Sequence, residues 1–214
     1  MPAFDASTLF NLAEPLQDDE IHVWQLAYRP ALRREPLRRL LAAYLGNDPP
    51  QVTLLDDADG RPALAPHHDQ TLGFNWSHSG AHAVIALGRR IRPGIDIELR
   101  HRRPRALPLA RRFFSPDETA ALAALPPDQQ GLAFLQLWTA KEAVLKALGR
   151  GLAFGLHRLS IESRAGELQL QRLEGDDVRD WQLLPLTLDA ALVGALAWRG
   201  GTRRVRYFTR AVDG

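Results

Sequence analysis

The sequence contains no cysteine. Disulfides, thiolate metal sites and cysteine nucleophiles are therefore excluded. No apolar run is long enough to span a bilayer. The first twenty residues carry Asp5, Glu14, Asp18, Asp19 and Glu20, and they lack the basic start and apolar centre of a secretion signal. There is no short repeat and no low-complexity linker. An excess of one charge is also missing. Lys and Arg number 27 against 25 Asp and Glu, a formal net charge of +2. A nucleic-acid binder would show interleaved exposed aromatics or a module signature, and neither is present. The expectation is a cytoplasmic protein with no membrane and no nucleic-acid partner.

What is present is a globular composition. The 214 residues are 45% hydrophobic and 24% charged, enough for a sizeable core. Residues 1–20 read as a loose leader. Ile21 to Tyr28 is predicted as a strand, Pro30 to Leu45 as an arginine-rich helix, and Val52 to Leu55 as a short strand. Strands follow at Leu72–His78, His82–Leu87 and Ile95–Leu99. A basic helix covers Leu107 to Phe113. Ser115 opens the next helix with Pro116 in its first turn and Glu118 completing a capping box. Pro126-Pro127 breaks that helix, and Asp128 is the expected cap of a long central one. Beyond Gly151, strands are expected at 159–163, 168–172, 181–184, 191–198 and 205–209. This order implies an α+β fold of two similar halves, 1–103 and 104–214.

The central helix carries the motif Trp138-Thr139-Ala140-Lys141-Glu142-Ala143-Val144-Leu145-Lys146. At helical spacing Phe134, Leu137, Trp138, Val144, Leu145 and Leu148 share one face, with Lys141 near its middle. Glu142 and Lys146, four residues apart, are neighbours on its edge. The plain reading is a core helix with a snorkelling lysine and a surface ion pair. The sharper reading is a face that closes over an anionic ligand, which would relieve the burial of Lys141.

Other residues bear on that choice. The strand period of two sets Asp96 and Glu98 on one face and Ile95, Ile97 and Leu99 on the other. With Glu142 they make three oxygen donors of the kind that suits Mg²⁺, although an Asp-x-Glu pair alone equally fits an exposed strand face. Ser77-His78 ends an apolar strand without the G-x-S-x-G spacing of a hydrolase elbow. His78, Arg61, Lys141 and Lys146 are available as phosphate donors. Arg33, Arg34, Arg38 and Arg39 form one basic cluster, and Arg100, Arg102, Arg103 and Arg105 another. Each suits phosphate or an acidic partner, or is a solvated basic face. The acidic turn Asp56 to Gly60 lacks the remainder of a calcium loop.

Five stretches together resemble the Sfp-type 4′-phosphopantetheinyl transferases. They are Gly60-Arg61-Pro62, Phe74-Asn75-Trp76-Ser77-His78-Ser79, Gly94-Ile95-Asp96-Ile97-Glu98, Arg112-Phe113-Phe114-Ser115-x-x-Glu118, and the central motif with Gly149-x-Gly151-Leu152. The family usually carries Gly-Lys-Pro at the first of these. The resemblance implies two α+β halves related by a pseudo-twofold axis, with the active site between them. It implies transfer of the phosphopantetheine arm of coenzyme A to a serine of an apo acyl or peptidyl carrier protein, releasing adenosine 3′,5′-bisphosphate. Carried over by position, Asp96, Glu98 and Glu142 hold Mg²⁺, and Arg61, Ser77, His78 and Lys141 contact the coenzyme's phosphates. Glu142 is the base for the attacking serine and Lys146 the acid for the departing phosphate. The family's basic N-terminal segment aligns only loosely, at Arg38-Arg39-Leu40-Leu41. Arg33, Arg34 or Arg39 would replace it, and Arg39 is carried as the site residue. A monomer is expected. The rival readings are a metal-dependent phosphohydrolase, a non-catalytic module binding a carrier protein or coenzyme A, and a nucleic-acid binder.

Overall fold

Alternating apolar residues make Glu20–Ala27 a strand (β1), and this strand lies inside a sheet. The computed structural model describes residues 15–57, 60–102, 104–164 and 166–210, so most of the expected leader and Arg103 lie outside the described residues. The helix expected from Pro30 begins later. Pro30–Leu32 is a 3₁₀ turn and Arg33 takes φ 48°, so helix α1 runs Glu35–Leu45. Pro36 is the cause: its ring excludes the carbonyl of residue 32 from a continuous helix. The sequence reading missed one strand, β3 (Pro62–Leu64), which pairs with β2 (Leu54–Asp56) across the acidic turn.

The remaining elements follow the expected order. They are β4 (Leu72–Ser79), β5 (His82–Arg89), β6 (Gly94–Leu99), α2 (Ala106–Phe113), α3 (Pro116–Ala123) and α4 (Pro127–Leu148), then β7 (Leu159–Arg164), β8 (Glu167–Leu173), β9 (Trp181–Pro185), β10 (Leu192–Arg199) and β11 (Arg204–Arg210). Ser115 and Glu118 form the expected capping box of α3. Pro126, not Asp128, is the cap residue of α4. The fold is mixed helix and sheet, as expected. Among the described residues no helix is long and apolar enough to cross a membrane.

The sheets cut across the two halves. One has the order β11-β1-β5-β4 and the other β6-β10-β9. The last strand, β11, thus pairs in parallel with β1, while β6 pairs antiparallel with β10. Each stretch drawn at residue 103 gives a strand to the other's sheet. A shared apolar layer follows, with Ile21, Val23, Val84 and Ala86 from one sheet meeting Ile95, Ile97, Leu196 and Trp198 from the other.

Helix α4 is buried over most of its circumference, because it packs on β6 and β10 and also against α2, α3 and β7. Gly94 allows the close approach. A Cβ there would stand 1.9 Å from the carbonyl oxygen of Ala143 and 2.4 Å from the nitrogen of Ala147. The absent side chain therefore sets the last turns of α4 directly on the start of β6.

Candidate active site

That contact brings the two acidic motifs together. Asp96, on β6, accepts the Ser77 hydroxyl at 2.7 Å and the Lys146 ammonium at 2.8 Å, both on Oδ1. Lys146 also donates to the Ile95 carbonyl at 3.0 Å. Glu98, two residues along the same face, accepts from Ser79 Oγ at 2.7 Å and from Arg102 Nη1 at 2.8 Å. Lys146 therefore pairs with Asp96 across the helix–strand joint, and the surface pairing with Glu142 is not formed.

Glu142 is the anomaly of the site. Its Oε1 is buried with no hydrogen-bond partner, a condition shared by no other side-chain atom among the described residues. Burial pushes its carboxyl up to about 7, and the neighbouring charges of Asp96 and Glu98 push the same way, against the pull of Lys146. A buried acceptor without a donor costs about 1–3 kcal/mol, and a hard cation would remove that cost. The donor set is all carboxylate oxygen, which suits Mg²⁺. As they stand, the described residues do not form a closed group of three metal ligands; the fit lies in the donor type and the orphaned oxygen.

Arg61 reaches into the same joint. Its Nη1 donates to the Lys146 carbonyl at 2.6 Å and its Nη2 to the Phe74 carbonyl at 2.8 Å. It thereby serves one of the carbonyls that the end of α4 leaves unpaired. Burial and nearby Arg92 lower its pKa to about 10, with Asp57 opposing, so it stays charged near neutrality. Two grooves open near these elements. The larger, about 970 Å³, lies at Arg100, His101, Arg105 and the start of α4 and contains none of the three carboxylates. The smaller, about 320 Å³, joins Glu98 to Leu109, Phe134, Leu135 and Trp138, and it is the one continuous with the site.

The 4′-phosphopantetheinyl transferase superfamily profile matches residues 92–197. These residues include β6, α4 and all three carboxylates. The 4′-phosphopantetheinyl transferase HetI of Nostoc sp. is 36% identical over 91% of this chain and 83% of its own length. The chain belongs to the 4′-phosphopantetheinyl transferase superfamily. A Synechocystis sp. relative is 35% identical over 70% of this chain, and the match spans 61% of that protein. The transferase Sfp of Bacillus subtilis is 32% identical over 63% of this chain and 58% of its own length.

Within this superfamily member the expected site residues fall in four places. Asp96, Glu98, Glu142, Lys146, Arg61 and Ser77 meet at the joint of β4, β6 and α4. His78 lies on the other face of β4 from Ser77, as a strand's alternation requires. It is exposed and stacks on Tyr28 at 4.5 Å between ring centroids, with Trp76 at 5.3 Å. Arg39 sits on α1, bonded to Glu35 at 2.8 Å.

Lys141 stands apart and requires a correction. It is 0% exposed. Its ammonium meets Glu118 Oε2 at 2.8 Å and the carbonyls of Leu156 and Leu159 at 2.9 and 2.6 Å. Three partners use all three of its hydrogens, so none is left for a phosphate. Glu118 in turn accepts the Ser115 amide and hydroxyl and the Ile161 amide. The pair joins α3, α4 and β7 and answers the burial of Lys141 with protein, not with ligand. The sequence reading missed Glu118 as that partner, because the capping box accounted for it. It also missed Asn75 and Ser79. Their signal was the polar period of two in Asn75-x-Ser77-x-Ser79 on an otherwise apolar strand.

Proposed function

We propose that this chain transfers the 4′-phosphopantetheine arm of coenzyme A to a serine hydroxyl of an apo acyl or peptidyl carrier protein, releasing adenosine 3′,5′-bisphosphate. The observation that carries the reading is the buried, unpartnered Oε1 of half-buried Glu142, whose carboxyl is raised to about 7 beside Asp96 and Lys146. Glu142, ionised once a cation offsets its burial and the charges of Asp96 and Glu98, is assigned as the acceptor of the attacking hydroxyl's proton. Lys146 is half-buried and charged, and it faces the same pocket of oxygens; it neutralises the phosphate that departs. Asp96, Glu98 and Glu142 would hold Mg²⁺, which when bound would neutralise pyrophosphate charge. No protein nucleophile is needed, because phosphoryl transfer depends on alignment and charge neutralisation.

Arg61 supplies a fixed positive charge at the end of α4. His78 and Arg39 are assigned to the coenzyme's phosphates, with Arg39 exchanging Glu35 for the ligand. The apolar groove from Glu98 to Trp138 has the chemistry for the arm itself. Both sets of groups lie in one chain, so a monomer suffices, in the cytoplasm where coenzyme A is at hand. Incubation with coenzyme A, Mg²⁺ and an apo carrier, followed by mass spectrometry of the carrier, tests the proposal. Transfer adds the arm's mass. Cleavage of coenzyme A with an unmodified carrier would identify a phosphohydrolase, and no change in either would identify a binding module.

A further inference from the structure

Strands β4 and β6 belong to different sheets yet lie side by side. Side chains take the place of a backbone ladder between them. The amides of Ile95, Ile97 and Leu99 donate to Asn75 Oδ1 at 3.2 Å, Ser77 Oγ at 3.4 Å and Ser79 Oγ at 3.3 Å. The two serine hydroxyls pass on one hydrogen each, to Asp96 Oδ1 and Glu98 Oε2, both at 2.7 Å. We propose that Ser77 and Ser79 are positioning residues that aim the Asp96 and Glu98 carboxylates into the cation site, and that the Ser77 hydroxyl does not bind a coenzyme phosphate.

The geometry is determined at both ends. A hydroxyl has one hydrogen to donate. An amide held by the β6 backbone fixes the acceptor side of each serine, so its hydrogen is directed at the carboxylate. In Asp96, serine and Lys146 share one oxygen, which leaves Oδ2 without a hydrogen bond among the described residues. Without the serine hydroxyl, among the described residues Asp96 keeps only Lys146, whose ammonium is shared with the Ile95 carbonyl, and Glu98 keeps only Arg102, whose side chain is 59% exposed. Asn75 makes the same amide contact but touches neither carboxylate, so it is the internal control.

The inference rests on the proposed function for the identity of the cation, but the experiment reads binding directly. Free Mn²⁺ is measured by electron paramagnetic resonance on the full chain, with and without coenzyme A. Ser77→Ala and Ser79→Ala are each expected to raise the Mn²⁺ dissociation constant about 10–100-fold, the usual effect of losing a group that orients a metal ligand. Asn75→Ala is expected to lower the melting temperature without changing Mn²⁺ binding. Ser79→Thr, which keeps a hydroxyl, restores it. Ser→Cys, similar in volume with a poor donor, replaces an alanine variant that does not fold and carries the same expectation. Unchanged Mn²⁺ binding in the serine variants would overturn the inference. An equal loss in Asn75→Ala, or a wild type that binds no Mn²⁺ in either condition, would do the same. A protein that binds Mn²⁺ through these serines but transfers nothing would sink the proposed function and leave the inference standing.

Discussion

Glu142→Gln separates the stability of the fold from the chemistry of the site. The Glu142 carboxyl is raised from 4.5 to about 7 by burial and by Asp96 and Glu98. Because the folded value lies above the unfolded one, the native state holds its proton more tightly. Ionising Glu142 therefore weakens the fold. The penalty is absent below about pH 4.5, grows between 4.5 and 7, and is complete above 7. At about 1.4 kcal/mol per pH unit, it reaches about 3 kcal/mol. Glutamine mimics the protonated acid, so the variant should match wild type at pH 4.5 and exceed it by about 3 kcal/mol at pH 8. In a domain of this size that is a rise in melting temperature of roughly 6–12 °C. Urea unfolding in EDTA at both pH values measures the difference, and groups common to both proteins cancel. Added Mg²⁺ should raise the stability of wild type at pH 8, by linkage, and leave the variant unmoved. A variant whose advantage is the same at both pH values would refute the reasoning, since ionisation of Glu142 would then not be its source.

Three further outcomes follow from the joint around α4. Lys141→Met strands Glu118 in the core and should cost about 3–5 kcal/mol by denaturant unfolding, with coenzyme A affinity per folded molecule unchanged in calorimetry. Arg61→Lys replaces a fork that serves two carbonyls with one ammonium; losing one buried acceptor's partner should destabilise by about 1–3 kcal/mol, read from the urea midpoint. Gly94→Ala drives a methyl into the Ala143 carbonyl, so soluble expression or near-ultraviolet dichroism should show a collapsed joint, whereas Ala at Gly131, where a Cβ meets nothing within 4 Å, should be tolerated.

The carboxylates were readable from sequence because each sits in a local pattern. Asp96 and Glu98 follow the strand period, and Glu142 and Lys146 follow the helix period. Their meeting was also foreseeable, given the family's motifs in order. The partners that decide what each charge does were not. Lys141 and Glu118 are 23 residues apart on different helices, and each had a sufficient local explanation, as a snorkelling side chain and as a cap. Ser79 and Glu98 meet only because two sheet edges align, and no pattern within one strand encodes that alignment. The exchange of β6 and β11 between the sheets was hidden for the same reason. A strand's alternation shows which face is buried but not which strand lies beside it.

That exchange has a bearing on how the chain is made. Glu20 of β1 is opposite Arg204 of β11, and the buried Glu20 carboxylate accepts the Arg204 guanidinium. A ribosome delivers these two residues far apart in time. Until β11 emerges, one edge of β1 carries unpaired backbone groups, with the apolar Ile21 and Val23 alongside, an arrangement that invites pairing with the wrong chain. Within its sheet, β1 is thus synthesised before the other described strands, and its outer edge is sealed only after all of them. Chaperone demand, and loss to aggregation under fast translation, should concentrate in nascent chains that end before residue 204.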